Sequence, residues 1–193
     1  MKKCCIYKWS IFPLEINMQD LLNKEPVKRV SKSLKDFNAK LEVIVLETSA
    51  RTAKDAADSL NTEVGSIIKS LFLRTEKSFL LCLVAGDKRC SLNKIKKILN
   101  EKDVSMGNAN QVKEITGFTI GGVSPIGHIK PIKIFIDKTL SRFPNIYGAA
   151  GHPNCVFKIN FENLQKITNG EVNDIVEWIV QKLLIICCYR YLR

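Results

Sequence analysis

Two apolar runs, Ile67 to Leu73 and Phe79 to Ala85, lie either side of the polar stretch Arg74-Thr75-Glu76-Lys77-Ser78 and constrain the fold of this chain most tightly. Two short apolar segments joined by a polar link are the pattern of a β-hairpin with a longer loop. Helical signals surround it. Upstream, residues 27–39 read as a Lys-rich helix and Glu42 to Leu46 as a strand, by β-branched content. Thr52 with Asp55 three residues on forms a capping box, and Ala53, Ala56, Ala57 and Leu60 then fall on one packed helix face. Downstream, Ser91 caps a helix carrying Leu92, Ile95 and Leu99 on one side, and a short helix over Ala109 to Ile115 leads through Gly117 into a glycine-rich loop. Strands are predicted at Lys133 to Ile136, Ile146 to Ala149 and Val156 to Ile159, with closing helices at 161–167 and 172–184. Strands and helices alternate irregularly, which argues for a mixed α+β domain rather than a doubly wound sheet.

The chain has 193 residues, enough for one domain with a substantial core. Its 46% hydrophobic and 25% charged content excludes wholesale disorder. Thirty Lys and Arg against nineteen Asp and Glu leave a net charge of +11, which suits a polyanionic partner such as nucleic acid or an anionic membrane. About half of that excess lies in residues 1–30 and 182–193, so the centre is only mildly basic. Seven cysteines show neither a CxxC pair nor zinc-ligand spacing, so no metal is expected. Their odd number without disulfide spacing fits a reducing cytoplasm, and Cys82 reads as a buried small hydrophobe. Residues 1–27 are expected to be an N-terminal extension, with translation starting at Met18. Residues 182–193 are expected to be a C-terminal tail whose apolar part is shorter than the roughly 20 residues of a spanning helix, so no stable membrane insertion is expected.

Chemistry concentrates in three places. Gly121-Gly122-Val123-Ser124-Pro125-Ile126-Gly127-His128 combines permissive glycines with a rigid proline, and reads either as a plain turn or as a loop whose amides face a ligand oxygen. Lys69 interrupts an apolar strand, so its ammonium either snorkels outward or points into a pocket holding an anionic or carbonyl-bearing substrate. Ser70, beside it, faces either that pocket or away. Gly148-Ala149-Ala150-Gly151-His152-Pro153 is a small-residue run that can admit a ligand. Asp137, at a strand end, either caps the next helix, pairs with a base or touches substrate, the cap being favoured. His128 and His152 are the only histidines, and neither sits in a legible hydrolase triad. No P-loop or dinucleotide fingerprint is present.

Ser49-Ala50-Arg51-Thr52-Ala53, Ile68-Lys69-Ser70-Leu71, Thr116 to His128, Ile136-Asp137 and Ala149-Ala150-Gly151-His152-Pro153 together resemble, in order, the YbaK/ProX family of aminoacyl-tRNA deacylases over about residues 28–181. The resemblance implies a mixed β-barrel-like sheet wrapped by helices, found free-standing and as the editing insertion of bacterial prolyl-tRNA synthetases. It implies hydrolysis of the ester of mischarged tRNA, with the acceptor end as partner, a synthetase as a further one, and no cofactor. Lys69 matches the strand lysine that holds the acceptor end, and Gly121 to Pro125 match the G-x-x-x-P loop that holds the aminoacyl group. Lys69, Gly121, Gly122, Ser124 and Pro125 are thus the catalytic candidates. Ser70, Gly127, His128, Asp137, Gly151 and His152 are the substrate-binding ones. The resemblance implies no protein nucleophile: water makes the attack in such enzymes, with the substrate's own ribose hydroxyl assisting. Two other readings are a non-catalytic tRNA- or synthetase-binding module and a weakly membrane-associated regulator using the Cys187-Cys188 tail.

Overall fold

In a computed structural model of the chain, residues 18–48 and 50–177 are described. They hold six α-helices and eight strands: α1 (Met18–Leu22), α2 (Glu25–Phe37), β1 (Val43–Val45), α3 (Ala53–Leu60), β2 (Ile68–Arg74), β3 (Phe79–Ala85), α4 (Leu92–Leu99), β4 (Ser105–Met106), α5 (Ala109–Thr116), β5 (Lys133–Asp137), β6 (Ile146–His152), β7 (Cys155–Ile159), α6 (Phe161–Thr168) and β8 (Glu171–Asn173). The predicted hairpin is β2 and β3, antiparallel from Ile68 opposite Ala85 to Arg74 opposite Phe79. It is the centre of a five-stranded sheet in the order β4-β2-β3-β5-β8, in which β5 runs parallel to β3 and β8 parallel to β5. A three-stranded antiparallel sheet, β1-β7-β6, meets it through a bridge between Ile67 and Tyr147. The barrel-like sheet expected from the sequence thus takes the form of two joined sheets, whose pairings among the described residues do not run as one closed ring.

Three apolar clusters hold these elements. The largest joins Val27, Val30 and Leu34 of α2 to Ile68 and Phe72, to Leu81 and Leu83, and to Ile146 and Phe157 of the smaller sheet. The second covers the other face of the large sheet, where Leu73, Leu80, Cys82, Val84 and Phe135 meet Ile95 of α4, with Leu92 and Leu99 beside it. The strand β3 is therefore covered on both faces, which is why Phe79 to Ala85 carries no polar side chain. The third cluster seats Ala56 and Ala57 of α3 against Ile67. Their short side chains bring that helix close to the sheet.

Packed structure begins before residue 28, since α1 supplies Leu21 and the first turns of α2 supply Val27, both buried in the main cluster. The helix predicted over 172–184 is corrected where it is described. Glu171 to Asn173 instead form β8, Ile175 donates its N–H to Asp137 Oδ2 (2.9 Å), and Val176 bridges Cys90. Ile175 and Val176 are buried in the second cluster, so pairing with a distant strand overrides the local apolar pattern. The remainder of that helix, the tail 182–193 and residues 1–17 lie outside the described residues. Among the described residues no helix is long and apolar enough to cross a membrane.

Candidate active site

A cavity of about 320 Å³ opens where α3, β2, β6 and the glycine loop converge. One wall is α3 and its approach, contributing Ala50, Arg51, Thr52, Ala53 and Ala56. The predicted capping box sets that wall. Asp55 donates its N–H to Thr52 Oγ1, and Thr52 donates its own to Asp55 Oδ2, both at 3.1 Å. The opposite wall is the edge of β2 that β3 does not cover. Between Ile67, bridged to Tyr147, and Phe72, whose carbonyl accepts from Gly107 N–H (3.0 Å), residues from both faces of the strand line the cavity. Lys69 and Leu71 stand on one face, and Ile68, Ser70 and Phe72 on the other. Ile120, Gly121 and Val123 of the glycine loop, with Tyr147, Ala149 and Pro153, complete the lining.

Lys69 is therefore brought to the cavity. Its Nζ donates to the Lys88 carbonyl, and burial holds its ammonium below the usual lysine range, an effect partly offset by the negative charge of Asp87 and by Cys90. An ammonium has three donors, so two remain for a ligand. Gly121 has φ +91°, a left-handed conformation natural to glycine, and the following amide of Gly122 is tied to the Thr119 carbonyl (3.0 Å). Of the sequence-predicted residues, Lys69, Ser70 and Gly121 line the cavity.

The others stand behind the lining and shape it. Gly122 backs onto the Gly151–His152 main chain, Pro125 packs towards Gly148, and Ser124 is buried with its Oγ accepting from Ile126 N–H (3.3 Å). Gly151 is glycine because α2 docks there: a Cβ would lie 2.8 Å from the Pro26 carbonyl carbon. His152 Nδ1 accepts from Asn154 N–H (3.2 Å), and its Nε2 lies 3.2 Å from Lys24 Nζ. Asp137 and His128 lie outside the cavity lining and are held by ties within the chain. Asp137 is fully buried and takes the capping role favoured from the sequence, with Oδ1 accepting from Thr139 just after β5, while Oδ2 accepts from Ile175 beyond β8. His128 is half-buried and outside the cavity lining, with Nε2 donating to the Ser124 carbonyl (2.8 Å) and its ring edge-on to Phe118. Both are structural ties rather than cavity groups.

Sequence reasoning missed Arg29. From α2 its guanidinium donates to Gly127 O (3.0 Å), Gly117 O (3.3 Å) and Thr116 O (3.4 Å) and lies 5.1 Å from the centre of the Phe118 ring. It thereby fixes both ends of the glycine loop. The only signal was one arginine among the lysines of α2, consistent with the forked donor geometry that a loop of carbonyls needs. The cavity rim was also unread: Ile120 and Met106 are exposed large apolar side chains on one side, and Arg51 is an exposed cation on the other.

The cavity is mostly apolar, with a cation and a glycine loop on its wall and neither a histidine nor a carboxylate among its lining residues. The family of the aminoacyl-tRNA editing domain matches residues 47–167, and the chain belongs to that family. A solved structure of a proposed trans-editing enzyme for prolyl-tRNA synthetase is 35% identical, superposes with a TM-score of 0.76, and is matched over 80% of this chain and 99% of its own. The uncharacterized protein YwhH of Bacillus subtilis is 29% identical over 76% of this chain and 93% of its own length. Proline–tRNA ligase of Lactobacillus acidophilus is 32% identical over 55% of this chain, which there spans 19% of the ligase.

Proposed function

We propose that this chain is a trans-editing aminoacyl-tRNA deacylase that hydrolyses the ester of mischarged tRNA, in particular tRNA(Pro) carrying alanine, cysteine, serine or threonine. The observation that carries the reading is the convergence of Lys69, the Gly121–Val123 segment and the alanine wall of α3 on one cavity, in a member of the editing-domain family. The Gly122 amide is committed to Thr119, so the amides of Gly121 and Val123 are the donors assigned to the ester carbonyl as it becomes an oxyanion. Lys69 holds the anionic acceptor end, while Arg51 supplies positive charge at the rim.

No side chain in the lining is an activated nucleophile. Cys155 is held as the neutral thiol, because burial pushes its pKa up to about 11, and neither histidine reaches the cavity. Water is therefore the nucleophile. Its oxygen bonds to the acyl carbon, the bond to the ribose oxygen breaks, and a proton passes to that oxygen, releasing the amino acid and a free tRNA end. The ribose hydroxyl next to the ester is the group placed to relay the proton. The mildly basic surface suits the acceptor stem, and the reaction belongs to the cytoplasm, where translation runs.

The test is a panel of Ala-, Cys-, Ser- and Thr-tRNA(Pro) incubated with the full chain. Acceleration of ester loss for at least one of them supports deacylation. Tight binding of charged tRNA without any acceleration would replace it with a non-catalytic binding module.

A further inference from the structure

Ser70 is unlike every other polar residue of the cavity. Its Oγ is withdrawn from water and has no hydrogen-bond partner, the single buried side-chain oxygen or nitrogen so placed among the described residues. The residue itself is only partly buried and lines the cavity. Ser70 stands opposite Leu83 across the hairpin and shares its face with Ile68 and Phe72. The cavity residues drawn from that core cluster, Ile68, Phe72, Val112, Val123 and Cys155, carry no oxygen or nitrogen in their side chains. A hydroxyl kept from water without a partner is costly, and proteins rarely retain one without a use. No hydrogen bond holds its χ1, so rotation to another staggered position, towards the cavity, breaks nothing.

We propose that Ser70 determines which amino acid the pocket accepts, by pairing with a hydroxyl on the side chain of the bound aminoacyl group, so that seryl esters are preferred to alanyl esters. This rests on the deacylase reading for the identity of the ligand. A substrate hydroxyl brings both a donor and an acceptor, as Ser70 does, to a stretch of wall where the neighbouring Ile68, Phe72, Val112, Val123 and Cys155 side chains offer no oxygen or nitrogen. The alanine methyl leaves Ser70 unpaired, and a site built to hydrogen-bond a substrate hydroxyl discriminates against the analogue lacking it. One neutral hydrogen bond corresponds to a preference of about tenfold.

The experiment uses two hydrolysis-resistant adenosines carrying seryl or alanyl groups through a 3′-amide, titrated calorimetrically into the full chain, wild type and Ser70→Ala. The two matching esters of one tRNA are assayed in parallel. Wild type is expected to bind the seryl compound about tenfold more tightly. Ser70→Ala should bring the ratio near one by weakening the seryl compound alone, and without ligand it should melt no lower than wild type, because only an unpaired hydroxyl has gone. Equal affinities in wild type, a ratio unchanged by Ser70→Ala, equal weakening of both compounds, as a bond to the shared α-ammonium would give, or a marked fall in melting temperature would each overturn the proposal. Discrimination in binding with no ester loss sinks the deacylase reading and leaves this one standing; ester loss without discrimination does the reverse. Failure of both compounds to bind overturns both.

Discussion

His128 shows how a residue beside the cavity can matter without touching a substrate. Burial, reinforced by the charge of Arg29, keeps its imidazole below the usual histidine range, although the bond to the Ser124 carbonyl acts the other way. The unfolded chain, with an ordinary histidine pKa of about 6.5, therefore takes up a proton first as pH falls. The neutral ring's contribution to stability is present above that value and is lost as pH drops through the window beneath it towards the folded pKa. His152 shifts in the same direction, chiefly through burial and then Lys24. Urea unfolding at pH 7 and pH 5 should show a lower midpoint at pH 5, and His128→Gln should shrink that difference. An unchanged difference in the variant would remove His128 as its source. At this scale the Gly121–His128 loop was legible in the sequence as a candidate segment, whereas which of its members line the cavity, Gly121 and Val123, depends on β6 and α2, which are distant in sequence.

At the scale of the element, α3 is the clearest case of local chemistry fixing a wall of the site. The Thr52–Asp55 box was readable because both partners lie within one turn, and the alanines that follow were readable as a packed face. Thr52→Ala should cost about 1 kcal/mol of stability in chemical denaturation, as loss of an N-cap does. Turnover should fall more than in a matched surface variant, since Ala53 and Ala56 are carried on the same helix. An N-cap variant with unaltered stability would show that the box does not hold the helix. The strand β8 is the opposite case. Nothing within residues 171–177 announces a strand, because its stabilisation comes from parallel pairing with β5 and from the Asp137 carboxylate, thirty-eight residues from Ile175.

Across the whole molecule, the cavity exists because α2 ties the two ends of the glycine loop while the smaller sheet presents Tyr147, Ala149 and Pro153 from the other side. Arg29→Ala removes a charged donor from three loop carbonyls and should cost about 1.5–3 kcal/mol, read as a lower urea midpoint at unchanged slope. Turnover of a charged tRNA should fall with it. Full activity at reduced stability would show that the loop keeps its shape without the tie. The fold class and most elements were legible from apolar periodicity and caps, whereas Arg29 and the rim formed by Arg51, Ile120 and Met106 emerged only when separate segments were brought together. The measurement bearing most directly on ester hydrolysis is single-turnover loss of the aminoacyl group from mischarged tRNA(Pro), comparing wild type with Lys69→Ala, with circular dichroism of both. Rapid loss that collapses in a folded Lys69→Ala variant is the expected result; ester loss by wild type no faster than in buffer, or equal rates for the two proteins, would contradict it.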